Sequence, residues 1–331
     1  MILMRIAIYK AYIEEAIKIT FFCLSIVVLF KICGAPNNTL IIVFNMAVMS
    51  FAATFSSDKK RLSHSMLGSA VVVLSIITGG LAGYYFPRLT DLLTLLYACL
   101  AFFLPNTREK VVVYVTGAVM FLIFTSLPLD WQDGVKYGLD GLAIILIFTG
   151  FHWFFNRRAS IDREYRSAQL VEDRYATTLL AFFSLSGAFV VVHILRSYTT
   201  LSHLYWTGLT VLLIIQGGGR DKIRTSLMRM GVNIVGALAT VLLFGYVAPP
   251  IFIVNLIILV LFLFFIFALG FSYVGRTLFI EMFVLGFSHL IGNYANTLAG
   301  DRVILTLIGG AIVIGSIGMV YVIFWLFSRC S

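Results

Sequence analysis

The sequence predicts an all-α, polytopic integral membrane protein of about twelve transmembrane helices, arranged as two six-helix repeats. Three observations carry this. Apolar residues make up 60% of the 331 and charged residues only 12%, about half the charged share of an ordinary soluble domain. The mean hydropathy is +1.00, and no soluble core of this size could hide so much apolar surface, because surface grows too fast relative to volume. The apolar runs are continuous and mostly long enough to cross a hydrocarbon core of ~30 Å as helix. Outer-membrane barrels instead alternate at period two in segments of about ten residues.

The expected spans lie near 16–33, 38–55, 66–86, 90–104, 110–128, 134–156, 177–197, 200–216, 227–247, 250–269, 271–291 and 303–326. The fourth is the shortest. Glu14, Glu15 and Lys18 lead straight into the first run without a small-residue cleavage site, so no cleaved leader is expected. With the N-terminus inside, nineteen of the 24 Lys and Arg residues fall on the inner side. Basic residues resist translocation, so both termini are expected in the cytoplasm, at a bacterial inner membrane. The net charge of +9 is mostly this bias and calls for no nucleic-acid partner. Cys23, Cys33, Cys99 and Cys330 form no CxxC pair and are expected as small buried hydrophobes.

The one long polar stretch, NRRASIDREYRSAQLVEDRY at 157–176, separates the expected halves 1–156 and 177–331. Asp162 and Arg166 are spaced for an i,i+4 ion pair, so a short cytoplasmic helix is expected there. Shifting residues 58–87 by 163 positions gives seven identities in thirty, from Asp58 on Asp221 to Pro87 on Pro250. They fall after the second span of each half, which marks the halves as related. Six spans per repeat give both halves the same orientation, with substrate expected near the repeat interface.

Four features bear on function. The loops SSDKKRLSHS (56–65) and GGGRDKIRTSLMRMG (217–231) place Lys59, Lys60, Arg61, Arg220, Lys222 and Arg224 at an inner mouth. These could draw in anions, or simply fix topology, and the recurring Asp could latch each loop. On the ninth span, Arg229, Asn233, Gly236 and Thr240 recur at spacings of 4, 3 and 4 and share a helical face. Polar side chains at that depth need partners or a wet path. Glu281 lies mid-way along the eleventh span, with Thr277 and Ser288 on its face and His289 near it. Desolvation favours the neutral form of a carboxyl, so proton coupling or substrate contact is one reading; a fixed ion pair with Arg276 or another helix is the other. Gly79/Gly83 and Ala311/Gly315 are small-xxx-small pairs that let helices approach closely. No HExxH, Walker A, GxSxG or GxGxxG pattern is present, so no catalytic residue, metal or cofactor is expected.

The segment HLYWTGLTVLLIIQGGGRDKIRTSLMRMGVNIVGALATVLL (203–243) resembles the fusaric acid resistance protein family. An aromatic-Trp pair opens the second helix of the half, and a short polar loop leads to an Arg-x-x-Gly-Thr-x-x-Gly helix. Arg229 fits the Arg and Gly236 the last Gly, while Val232 and Asn233 replace Gly-Thr. AGDRVILTLIGGAIVIGSIG (299–318) is similar to the family's Asp-Arg-x-x-x-Thr-x-x-Gly entry into a final helix, through Asp301, Arg302, Thr306 and Gly309. Longer members carry large cytoplasmic domains, where this chain has only 157–176. The resemblance implies an efflux transporter of small aromatic or other carboxylic acids, with a periplasmic adaptor in some members; a homo-oligomer is the other partner expected. Candidates for the substrate path or its coupling are Trp206, Thr210, Arg229, Asn233, Glu281, Asp301 and Arg302. Two readings compete. A major facilitator would need a Gly that is missing from the Asp58 and Asp221 loops. A membrane-embedded enzyme or assembly factor would need clustered groups at one depth, for which Glu281, His289 and Asp301 are the nearest candidates.

Overall fold

A computed structural model describes residues 2–54, 62–105, 107–156, 174–199, 201, 203–216, 221–247, 249–269, 273–290 and 295–330. The expected linker helix with its Asp162/Arg166 pair, and the residues Asp58, Lys59, Lys60, Arg61 and Arg220, lie outside these, as do the side chains of Ser288 and His289.

The described residues are helical nearly throughout. They form α1 (Ile2–Ile32), α2 (Asn37–Thr54), α3 (Leu62–Tyr85), α4 (Thr90–Phe103), α5 (Arg108–Thr125), α6 (Trp131–Asn156), α7 (Arg174–Tyr198), α8 (Trp206–Gln216), α9 (Lys222–Thr240), α10 (Ile251–Leu269), α11 (Tyr273–Leu290) and α12 (Ala295–Cys330). A π-helical stretch, Val241–Tyr246, continues α9.

Helix count and span count differ. Five stretches are long and apolar enough to cross a membrane: Met66–Tyr85, Trp131–Phe151, Arg174–Tyr198, Lys222–Tyr246 and Leu298–Ile323. Five further apolar stretches are shorter, among them Thr90–Phe103 and Trp206–Gln216. At 1.5 Å per residue α4 reaches only about 21 Å and α8 about 16 Å, less than a full hydrocarbon core. Of the about twelve spans expected, twelve helices form, and among the described residues five stretches are both long and apolar enough to cross. The run at 200–216 shows why: His203 takes a positive φ of 54° and the helix starts only at Trp206.

Two compact units form, 22–186 and 187–331 with 1–21; the divisions fall inside α1 and α7. In the first, α3 packs against α2, α5 and α6, and α4 lies on α5. Its core includes Phe22, Phe51 and Phe148, which meet edge to face with centroids 4.5–6.2 Å apart. In the second, α9 packs against α8, α11 and α12, and α10 lies on α11. The same packing order thus recurs six helices later, as the shifted identities suggest.

Close backbone approach in the first unit depends on glycine. A Cβ on Gly79 would lie 2.6 Å from the Phe121 carbonyl oxygen, and one on Gly83 nearer still to that of Thr125. Both obstacles are α5 backbone, which cannot yield locally. Gly79→Ala and Gly83→Ala should each cost about 1–3 kcal/mol despite alanine's better helix propensity. Gly150→Ala, with nothing within 4 Å of the added carbon, should be neutral or stabilising by up to ~1 kcal/mol. Thermal melts in detergent compare them. The second small-residue pair behaves differently: Ala311 is exposed and a Cβ on Gly315 would meet nothing within 4 Å. Small spacing there marks no close approach among the described residues, because the pattern does not say which face is packed.

Candidate functional site

The site lies in the second unit, where α8, α9, α11 and α12 meet. The buried face of α9 holds Thr225, Ser226, Arg229, Asn233, Gly236, Ala237 and Thr240, so the expected stripe is the packed face. On α12, Arg302, Leu305, Thr306, Gly309, Gly310 and Val313 form the opposing buried face. Spacings of three and four residues explain both.

At the centre is an ion pair. Arg302 Nε donates to Glu281 Oε2 at 2.7 Å, with the side chains only 6% and 1% exposed. Of the two partners expected for a fixed pair, Arg276 or a residue of another helix, the structure has the second: Arg276 lies over the Tyr273 ring at 5.3 Å, and α12 supplies the cation. Arg276 is five residues before Glu281, off its face of α11, whereas Arg302 comes from a different helix. Glu281 Oε1 has no hydrogen-bond partner.

An aromatic group covers the pair. The Arg302 guanidinium stands 4.6 Å from the Trp206 ring centroid, within cation–π range. His203 stacks on Trp206, with centroids 5.0 Å apart and planes at 26°, and Tyr205 meets it edge-on at 5.9 Å. Below, Gly236 makes room: a Cβ there would sit 3.1 Å from Glu281 Cγ.

Polar contacts continue down the α9–α12 seam. Asn233 Nδ2 donates to Thr306 Oγ1 at 2.8 Å, and Ser226 Oγ donates to the Gly310 carbonyl at 2.9 Å. Asn233 Oδ1 and Arg229 Nε have no hydrogen-bond partner among the described residues. Alongside, a Cβ on Gly309 would be 2.9 Å from the Thr207 carbonyl oxygen and 3.0 Å from Thr210 Cβ, so α8 and α12 touch through this glycine.

Of the sequence candidates, Trp206, Glu281 and Arg302 come into one cluster, Asn233 joins α12 through Thr306, and Thr210 packs at Gly309. Asp301 is half-buried beside them in sequence. Thr306 and Ser226 were not singled out as partners of the α9 stripe; the i,i+4 spacing of Arg302 and Thr306 was the signal that could have found the first. At the other end of α9, Asp221 caps the helix, its Oδ1 accepting from Arg224 N at 2.9 Å. Lys222 Nζ donates to the Ile215 carbonyl at 2.7 Å, in the last turn of α8. The latch expected of the Asp is thus a helix cap, while Arg224 is exposed. Asp221→Ala should cost ~1 kcal/mol in a melt.

At the repeat offset, Met66, Ala70 and Val73 of α3 stand where α9 has Arg229, Asn233 and Gly236. The repeat is shared, but this polar stripe belongs to the second unit. Among the described residues no group of three His, Cys, Asp or Glu could hold a metal; of the free thiols expected to be buried, Cys23 is, Cys99 is half-buried, and Cys33, just past the end of α1, is exposed.

These features define a multi-pass helical membrane protein with an ion pair enclosed between helices. Residues 185–315, from the second half of α7 into α12, match the family model described as fusaric acid resistance protein-like. That match, with the apolar helices, points to membrane transport. No curated protein and no solved structure matches the chain.

Proposed function

We propose that the chain is a transporter that exports small organic anions, aromatic or other carboxylic acids, across a bacterial inner membrane and couples export to the proton gradient. The single observation that carries this is the buried Glu281–Arg302 pair held under Trp206. A buried ion pair is a weak source of stability, because desolvation offsets much of the attraction. Where ionisable groups sit inside membrane helices, a role in a substrate or proton path is the default expectation. Glu281 Oε1 is buried without a hydrogen-bond partner among the described residues. Protonation would remove the charge that holds Arg302 and let α11 and α12 separate, a two-state element of the kind coupling requires.

In this reading the termini face the cytoplasm, as the basic-residue bias implies, and the basic residues flanking α9 and α3 line the inner entrance. A periplasmic adaptor or a second copy of the chain would extend the path outward.

Counterflow tests transport apart from coupling. Proteoliposomes loaded with unlabelled benzoate should accumulate labelled benzoate from outside at a rate proportional to inserted protein. Equal uptake by protein-free liposomes would remove the transport reading.

A further inference from the structure

Three buried side chains carry charge among the described residues: Arg229, Glu281 and Arg302, at 4%, 1% and 5% exposure. Two are cations and one is an anion. Glu281 is already engaged with Arg302. Arg229 has no hydrogen-bond or ion-pair partner among the described residues, and its Nε is enclosed without an acceptor. A guanidinium cannot shed its proton in a protein. A buried cation that can neither pair nor neutralise is strongly disfavoured unless something supplies the counter-charge.

We propose that Arg229 is the binding residue for the anionic group of the carried solute, at a position separate from the Glu281–Arg302 pair. The inference rests on the transport reading and adds to it which of the two buried arginines takes the anion. Arg302 is neutralised internally, so an incoming carboxylate would have to displace Glu281. Arg229 offers a planar fork of donors that matches a carboxylate in bidentate geometry.

The surroundings fit a small organic anion. One turn further along α9, Asn233 is pinned through Nδ2 to Thr306, which leaves its Oδ1 as an unused acceptor. One turn back, Ser226 is tied to the Gly310 carbonyl. These contacts tie both neighbours of Arg229 to α12, and Arg229 Nε and Asn233 Oδ1, from residues about one turn apart on α9, are enclosed polar atoms without a hydrogen-bond partner among the described residues. A ligand that satisfies both carries an oxyanion and, beyond it, an O–H or N–H donor. The shared chemistry is a pair of anionic oxygens, which a soluble carboxylate or a phospholipid headgroup could present. The enclosure of Arg229 favours the soluble solute.

The test is binding to the full-length chain in detergent, without any gradient, so that it is independent of coupling. Benzoate is titrated against the melting temperature, with uncharged benzamide and phosphatidylglycerol as comparison arms. The wild-type chain should be stabilised by benzoate and not by benzamide. Arg229→Gln should weaken benzoate at least ~10-fold, since one partner of a buried charged contact is lost, and Arg229→Lys should lie between. Without ligand, Arg229→Gln should melt no lower than wild type, because it removes an uncompensated charge.

Three results would overturn the proposal. One is unchanged benzoate affinity in Arg229→Gln. Another is stabilisation by phosphatidylglycerol alone, which would make the site a lipid contact. The third is a large loss of unliganded stability or of folding in Arg229→Gln, which would reveal an internal partner. If benzoate counterflow persists while any of these is found, this inference fails and the transport reading stands; absence of counterflow with intact Arg229-dependent binding would do the reverse.

Discussion

Glu281→Gln is expected to abolish net solute movement driven by a pH gradient while leaving solute exchange measurable. Glutamine has nearly the volume of glutamate and imitates its protonated form, so it removes the titration and little else. The amide oxygen can still accept from Arg302 Nε at the position Oε2 occupies, which preserves the local geometry. A carrier locked in the protonated state can still shuttle a bound solute between its two faces, but it cannot return a proton. Transport assays on reconstituted protein separate the two activities. Gradient-driven accumulation by Glu281→Gln at the wild-type rate would end the coupling role of this residue.

The second large effect is on stability. Glu281→Ala should cost about 3–5 kcal/mol, because it leaves the Arg302 guanidinium buried without its anion. Both groups are more than nine-tenths buried, so solvent screening offers little relief. Replacing both, as Glu281→Leu with Arg302→Met, should cost less than either single truncation, since no charge is then stranded. Arg302→Met alone also gives up the guanidinium stacked on Trp206, so the single losses should not add. Arg276→Gln should leave the effect of Glu281→Ala unchanged, because Arg276 lies over Tyr273 rather than at the carboxylate. A double-mutant cycle by thermal or denaturant melts in detergent measures all of these. An Arg276→Gln that rescued Glu281→Ala would show that the pairing is wrong.

Much of the second unit was legible in the sequence because helical periodicity identifies faces. The α9 stripe of Arg229, Asn233, Gly236 and Thr240 is the packed face, and the motif around Asp301–Gly309 names the face that meets it. What periodicity cannot supply is a partner on another helix. Glu281 and Arg302 are 21 positions apart on different helices, and the sequence left the partner open between Arg276 and a residue of another helix. Seven identities fall after the second expected span of each half, and α3 and α9 have a similar order of packed neighbours.

Span length was less legible. Hydropathy runs on through residues that end or delay a helix, so 200–216 reads as one run although the turn at His203 shortens α8 to Trp206–Gln216. Gly79 and Ala311 illustrate the same limit for packing. Both open small-xxx-small pairs, yet only the first pair faces a neighbouring backbone. The Asp221 loop combined two readings that the structure separates: the carboxylate caps α9 and Lys222 closes the end of α8, while Arg224 is exposed.

The most direct measurement of the central claim is benzoate accumulation in proteoliposomes under an imposed pH gradient, with internal pH followed by a dye. Wild-type protein should drive benzoate against its concentration gradient, consume the pH gradient as it does so, and stop when a protonophore is added. Movement that only equalises benzoate, with no protein-dependent proton flux, would contradict an export mechanism coupled through Glu281.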